Sequence, residues 1–183
     1  MQLVKTFKET QIIKKLFICL LGTVLLAISA KIKIPFYPVP MTMQTFAVLF
    51  IGVLYGWKLG VFTIFLYLLE GIIGLPVFSG TPEKGLGLVY FTGPTMGYLI
   101  GFMATAFVAG FMNYDKSILK NFVKICFATS FIYLFGMLWL GTLIGWDKPI
   151  FELGAKPFLL AELFKILLLV LLLPKIRKFN QFI

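Results

Sequence analysis

The chain has 183 residues, 60% hydrophobic and only 13% charged, with a mean hydropathy of +1.00; soluble domains hold roughly 45 to 50% apolar residues, so a soluble protein is excluded and an all-α integral membrane protein is predicted, one transmembrane domain over 1–183. The formal charge of +10 does not imply nucleic acid as a partner, because the basic residues stand at the ends of apolar segments and do not cluster along one face. There is no histidine, and the two cysteines, Cys19 and Cys126, lie alone in apolar stretches, which excludes a zinc site, a disulfide framework and a histidine-based catalytic triad.

Residues 1 to 15 are polar, with Lys5, Lys8, Lys14 and Lys15, and lead into LFICLLGTVLLAIS. This stretch, ending near the small residues Ala27, Ser29 and Ala30, has the form of a signal-peptide core. Everything downstream is also multi-spanning, however, so a retained first helix over about 12–31 is the reading adopted. The following KIKIPFYPVPMTMQTF (31–46) sets Pro35, Pro38 and Pro40 between two apolar stretches. Three prolines remove three backbone donors that would otherwise need partners at a membrane surface. The segment reads as a stiff lid or as a plain turn between helices.

The apolar run from Gln44 to Val77 is too long for one span and is interrupted at Gly56, Trp57 and Lys58, a combination that suits a turn at the membrane surface. It divides into helices over about 44–56 and 58–75. The first would rise only about 20 Å against a hydrocarbon core of roughly 30 Å, so it is sheltered by neighbours or leaves a recess above it. A loop, LPVFSGTPEKGLG (75–87), precedes a fourth helix over about 93–112, for which Thr92 supplies an N-cap and Pro94 the first turn. Gly93, Gly97 and Gly101 recur every four residues and bare one face for close helix packing. Helices over about 122–145 and 157–174 follow, the last ended by Pro174.

Counting Lys and Arg fixes the expected orientation. Eleven of the seventeen fall on one side when the N-terminus, the Lys58 turn, the 113–124 loop and the C-terminal tail are placed together. Both termini are then cytoplasmic, six spans satisfy the parity, and the loops 31–43, 76–92 and 146–156 face outwards.

The residues most able to carry chemistry are Glu162 and Lys165, three apart on one face of the sixth helix. A charge inside a bilayer is costly unless it is paired or lines a cavity, which makes this pair a candidate for an outward-opening polar site; a structural ion pair with Lys165 reaching the interface is the alternative. Glu70 is a second intramembrane charge, able to partner Lys165 or to reach the interface. Thr42 and Gln44 offer neutral donors and acceptors at a helix entrance, with Thr42 equally suited to capping. Aromatic residues cluster near the outer loops (Phe36, Tyr37, Phe46, Phe78, Tyr90, Phe91), as an interfacial belt or as pocket walls. No GxxxxGK[ST] loop exists, so active transport would need energy from a partner or an ion gradient.

PVPMTMQTFAVLFIGVLYGWKLG (38–60), YLLEGIIGLPVFSG (67–80), GLGLVYFTGPTMGYLIGF (85–102) and KPFLLAELFKILLL (156–169) resemble, in order and spacing, four signature stretches of the BioY family. These are biotin-binding membrane subunits of energy-coupling factor transporters, and the resemblance runs from about residue 12 to 175. It implies an S-component fold in the bacterial cytoplasmic membrane. The transmembrane coupling protein and the two cytoplasmic ATPases would be its partners, with ATP used by them and no cofactor held by this chain. It further implies a biotin pocket in which Glu162 accepts from the ureido N–H groups and Lys165 donates to the ureido carbonyl or neutralises the carboxylate. Thr42, Gln44 and Ser79 would add neutral hydrogen bonds, Phe36, Phe78 and Tyr90 would cover the apolar body, and Gly93 would stand beside them. Thr23, Ala27 and Ala30 resemble the small-residue face that docks on the coupling protein, although such a face also serves internal packing. The chain departs from the family pattern in having Glu162 where Asp is usual and Glu70 at a normally apolar position. Alternatives are a solitary oligomeric biotin transporter, an S-component for another vitamin, and an assembly factor without a ligand.

Overall fold

A computed structural model describes residues 2–179, with side chains described for 11–176 and 178; Lys5, Lys8 and Arg177, used in the charge count, have side chains outside the described residues. Helix α1 (Gln2–Lys31) leads into a small antiparallel hairpin, β1 (Lys33–Ile34) and β2 (Met41–Thr42), in which Lys33 pairs with Thr42 and Ile34 with Met41. Helices α2 (Gln44–Ile72), α3 (Met96–Phe111), α4 (Ile118–Ile144), the short α5 (Ile150–Gly154) and α6 (Leu159–Phe179) follow, with 3-10 turns at Gly87–Thr92 and Lys156–Phe158. Among the described residues, four stretches, Gln11–Lys31, Gln44–Ile72, Ile118–Ile144 and Ile150–Ile176, are long and apolar enough to cross a membrane, and Met96–Phe111 is a shorter apolar helix.

The break expected at Gly56, Trp57 and Lys58 is present inside α2, where Gly56 takes φ 73° and ψ 172°. Only glycine adopts such a left-handed φ without steric cost. The following Lys58 ammonium stands 5.2 Å from the Trp57 ring centroid, within cation–π range. Of the glycine stripe read in the sequence, Gly97 and Gly101 lie on α3 and pack as their spacing predicts, whereas Gly93 precedes the helix. A Cβ on Gly101 would lie 2.7 Å from the Ile132 Cα, and one on Gly97 would collide with the Phe135 carbonyl. Thr105 continues the stripe and donates to the Ala128 carbonyl at 3.0 Å, so α3 and α4 touch backbone to backbone, the close approach that small residues permit in a membrane.

Three sequence expectations are corrected. First, α3 begins at Met96, not 93. Gly93 is extended (φ −81°, ψ 173°), the cap position is Thr95, and the Thr92 hydroxyl turns back to the Val89 carbonyl. Second, α6 starts at Leu159 and runs through Pro174 to Phe179. Proline removes one ladder hydrogen bond, but the turn beyond it buries Ile176 in the core, which offsets that loss. Third, of the two readings given for Thr23, Ala27 and Ala30, a docking face or internal packing, the structure favours internal packing. Thr23 and Ala30 are buried, Ala27 packs partly against the core, and Ile13, Phe17, Leu21, Val24 and Ile28 face out instead.

The interior divides into two clusters. One gathers Leu26, Val48, Ile51, Tyr67, Phe78, Tyr90, Tyr98, Phe102 and Phe158 around the hairpin end of the bundle. The other, at the far end, is aliphatic: Leu49, Val53, Ile125, Ile166, Leu169, Val170, Leu173 and Ile176.

Candidate functional site

Helix α6 is apolar nearly all the way round, and Leu160, Phe164 and Leu171 are exposed on its outer side, as suits a helix whose surroundings are lipid tails. Its two intramembrane charges therefore identify the inward face. Glu162 and Lys165 are only 4% and 8% exposed, and Lys165 Nζ lies 2.7 Å from Glu162 Oε1. Thr45, in the first turn of α2, completes a triangle: its hydroxyl donates to Glu162 Oε1 at 2.8 Å and accepts from Lys165 Nζ at 2.9 Å. The remaining ammonium proton goes to the Thr42 carbonyl at 2.7 Å.

This arrangement settles the two charges differently. An ammonium has three donors, and Lys165 directs all of them at protein oxygens. Glu162 uses one oxygen for the triangle; its Oε2 is the one buried side-chain polar atom among the described residues that lacks a hydrogen-bond partner. Buried polar atoms are nearly always paired; the neighbouring Tyr133 hydroxyl interacts with this carboxylate but makes no hydrogen bond to Oε2, so that oxygen keeps acceptor capacity beside a fully engaged lysine. Glu70 forms no ion pair among the described residues.

Glu162 borders a cavity of about 50 Å³ beneath the hairpin. Val39, Pro40, Met41 and Thr42 roof it, Gln44 and Thr45 stand at the start of α2, Ser79 and Tyr90 come from the long loop, and Tyr98, Leu99, Phe102, Ile132, Tyr133 and Phe158 form the apolar walls. Its polar groups are pre-set by their own contacts. Thr42 Oγ1 accepts from the Gln44 amide N–H at 3.3 Å, the Gln44 side-chain amide donates to the Tyr67 hydroxyl at 2.7 Å, and that hydroxyl donates to the Val77 carbonyl at 2.9 Å. The Ser79 and Tyr90 hydroxyls are 3.3 Å apart. Tyr98 donates to the Gly154 carbonyl at 2.8 Å, tying α3 to the segment before α6.

Of the residues singled out in the sequence, Thr42, Gln44, Ser79, Tyr90 and Glu162 come together on this wall. Lys165 stands behind Glu162. Phe78 is fully buried and backs the wall, stacked on Tyr90 at 4.7 Å and edge-on to Tyr67 at 5.3 Å. Phe36 is 42% exposed and reaches only the edge of Phe158, at 6.0 Å. Gly93 lies off the wall, where its carbonyl accepts from the Trp139 indole at 2.9 Å. The sequence reading missed Thr45, Tyr67, Tyr98, Tyr133 and Phe158. A threonine in a first turn and scattered aromatics in apolar helices carry no local signal; only their meeting with Glu162 distinguishes them.

A larger recess, about 510 Å³, lies on the other side of Glu162 and Tyr133, between α4 and the α5–α6 segment. It is lined chiefly by Leu134, Met137, Phe151, Leu159, Leu163 and Ile166, several of them exposed. A recess of that composition suits lipid tails, whereas the smaller cavity has the few convergent polar groups that orient a small ligand.

The BioY family model matches residues 3–182. The chain is 34% identical over 152 residues to a probable biotin transporter BioY of Pyrococcus horikoshii, covering 83% of this chain and 89% of that one. It is 33% identical over 157 residues to the biotin transporter BioY of Thermotoga maritima, covering 85% and 91%. A crystal structure of the S-component for biotin from an ECF-type ABC transporter superposes with a TM-score of 0.77 at 26% identity, covering 92% of this chain and 93% of that chain.

Proposed function

The chain belongs to the BioY family, a multi-pass membrane family of transporters, and from that premise we propose that it captures biotin as the S-component of an ECF-type transporter. The observation that carries the reading is Glu162, a buried carboxylate with an unpartnered Oε2, among the residues that line an aromatic cavity. A carboxylate oxygen accepts only, and biotin's ureido ring offers two N–H donors beside an apolar bicycle. A hydrogen bond from that ring to a charged acceptor in a low-dielectric site is among the stronger kind. Thr42, Gln44, Ser79 and Tyr90 supply neutral partners for the rest of the molecule, and Tyr98, Phe102 and Phe158 contact its apolar body.

Lys165 acts through Glu162 on this reading: its ammonium pairs with Oε1 and, together with the Thr45 hydroxyl, fixes the carboxylate's rotamer. Phe78 supports Tyr90 from behind. Binding sites for small molecules usually have volumes of roughly 300 to 1,000 Å³, so a cavity of about 50 Å³ receives biotin only with displacement of its walls. The hairpin roof, the Ser79 loop and the 3-10 turn carrying Phe158 are the walls not built into a long helix.

On this reading the α2 break gives six membrane crossings counting α3, and the lysine distribution supports both termini lying on the cytoplasmic side of a bacterial-type cytoplasmic membrane. The chain lacks a phosphate-binding loop, so ATP use belongs to partner ATPases that act through a transmembrane coupling protein. Equilibrium titration of the purified protein with biotin, thiamine and riboflavin tests the assignment. Biotin alone should bind tightly; preferential binding of either other vitamin would overturn it.

A further inference from the structure

The loop that carries Phe78 and Ser79 to the cavity, between α2 and the 3-10 turn at Gly87–Thr92, holds itself together sparsely. Its internal backbone bonds between residues 78 and 85 are Thr81 N–H to Phe78 O at 3.3 Å, Lys84 N–H to Gly80 O at 2.7 Å and Gly85 N–H to Pro82 O at 2.9 Å. The Phe78 carbonyl also accepts from the Thr81 hydroxyl at 2.8 Å, and the carbonyls of Phe78, Ser79 and Thr81 receive two lysines from a distant part of the chain. Lys31, the last residue of α1, donates to Phe78 O at 3.0 Å, to Thr81 O at 3.0 Å and to Thr81 Oγ1 at 3.3 Å. Lys33, in β1, donates to Ser79 O at 2.8 Å. Neither lysine forms an ion pair among the described residues; Glu83 is the carboxylate whose field reaches Lys31.

Lys31 therefore sits as a tethered cation in a small cage of loop oxygens. All three of its donors are engaged, as they are in Lys165. A surface lysine that needed only water would not have three of its donors aimed at protein oxygens, because ordering that long side chain costs entropy. What the contacts gain is the position of the loop. The Ser79 hydroxyl meets Tyr90 at 3.3 Å and lines the cavity, and the Phe78 ring is stacked on Tyr90.

We infer that Lys31 and Lys33 are positioning residues for the binding site, a two-lysine clamp that holds the Phe78–Thr81 carbonyls and thereby fixes Ser79 and the Phe78–Tyr90 stack against the cavity. The inference rests on the biotin-capture reading for its functional consequence, but the clamp itself can be read without ligand. In the full-length protein, Lys31→Met with Lys33→Met should accelerate amide hydrogen exchange in residues 78 to 85 by about tenfold or more in the absence of biotin, the size expected for losing charged hydrogen bonds. Exchange in α3 and α4 should stay unchanged. The same variant should release biotin about tenfold faster, and Lys31→Arg, which keeps the charge and donors, should restore most of the slow release. Should the double substitution prevent insertion, Lys33→Met alone should give the same pattern at smaller amplitude. Unchanged exchange in 78 to 85 would overturn the clamp. Faster exchange with an unchanged biotin release rate would overturn its positioning role. Faster exchange in a protein whose unsubstituted form binds no biotin would leave the clamp standing and remove the proposed ligand instead.

Discussion

The two ends of this bundle use different side chains for the same task of filling space between helices. At the hairpin end the buried members include Tyr67, Phe78, Tyr90, Tyr98, Phe102 and Phe158, while at the far end the fully buried members are aliphatic or alanine. Aliphatic side chains interdigitate to crystal-like density and leave no polar atom to satisfy. Aromatic residues with hydroxyls are large, rigid and keep a polar tip that must find a partner. Tyr67, Tyr90 and Tyr98 do so with Gln44, Ser79 and Gly154. One end is thus closed by packing, whereas the other is a framework of oriented polar groups around a cavity whose last acceptor, Glu162 Oε2, is left open.

Substitutions at the two ends should therefore separate affinity from stability. The largest effect belongs to Lys165→Met. Removing one partner of a buried ion pair typically costs about 3 to 5 kcal/mol because the other charge stays buried. Both thermal stability and biotin affinity should fall, the latter by roughly 30-fold or more, as measured by thermal unfolding and titration of the purified variant. A variant equal to the parent in both would show that Lys165 does not support the site.

Leu169→Ala, in the aliphatic end, should lower stability by about 2 to 4 kcal/mol through the cavity it leaves. Biotin affinity should remain within about twofold, because the cavity lies at the other end of the bundle. A parallel loss of affinity would mean that the two clusters respond as one unit.

The smallest effect is expected at Glu152, whose carboxylate pairs with Lys156 at 2.6 Å but with side chains 53% and 60% exposed. Such exposed pairs contribute about 0 to 1 kcal/mol, so Glu152→Gln should shift neither melting temperature nor affinity measurably. The contrast with Glu162 tests burial, since both are Glu/Lys pairs close to the start of α6.

The same contrast explains what could be read in the sequence. Glu162 and Lys165 stood out because charges are rare in a long apolar helix, and the break at Gly56 and the Gly97/Gly101 stripe because each depends on local residue type. Lys31 and Lys33 were legible only as outer-loop charges: their partners are carbonyls about fifty residues away, and a backbone acceptor leaves no trace in side-chain identity. Thr45 was missed for a similar reason, since its role exists only when α2 and α6 converge. The start of α3 was displaced because Thr92 and Pro94 mimic a cap, while Thr92 closes a 3-10 turn that uses its hydroxyl locally. Pro174 ended the sequence-based helix because a local rule could not include the burial of Ile176.

The central claim is that the free carboxylate oxygen of Glu162 receives the ureido N–H of biotin. Glu162→Gln keeps the size and one acceptor oxygen, yet removes the charge. Isothermal titration of biotin into this variant, beside the parent, should show affinity reduced by roughly 10-fold or more, the loss expected for a charged hydrogen bond, while the ligand-free variant remains folded. Parent-like affinity in the folded variant would contradict the assignment.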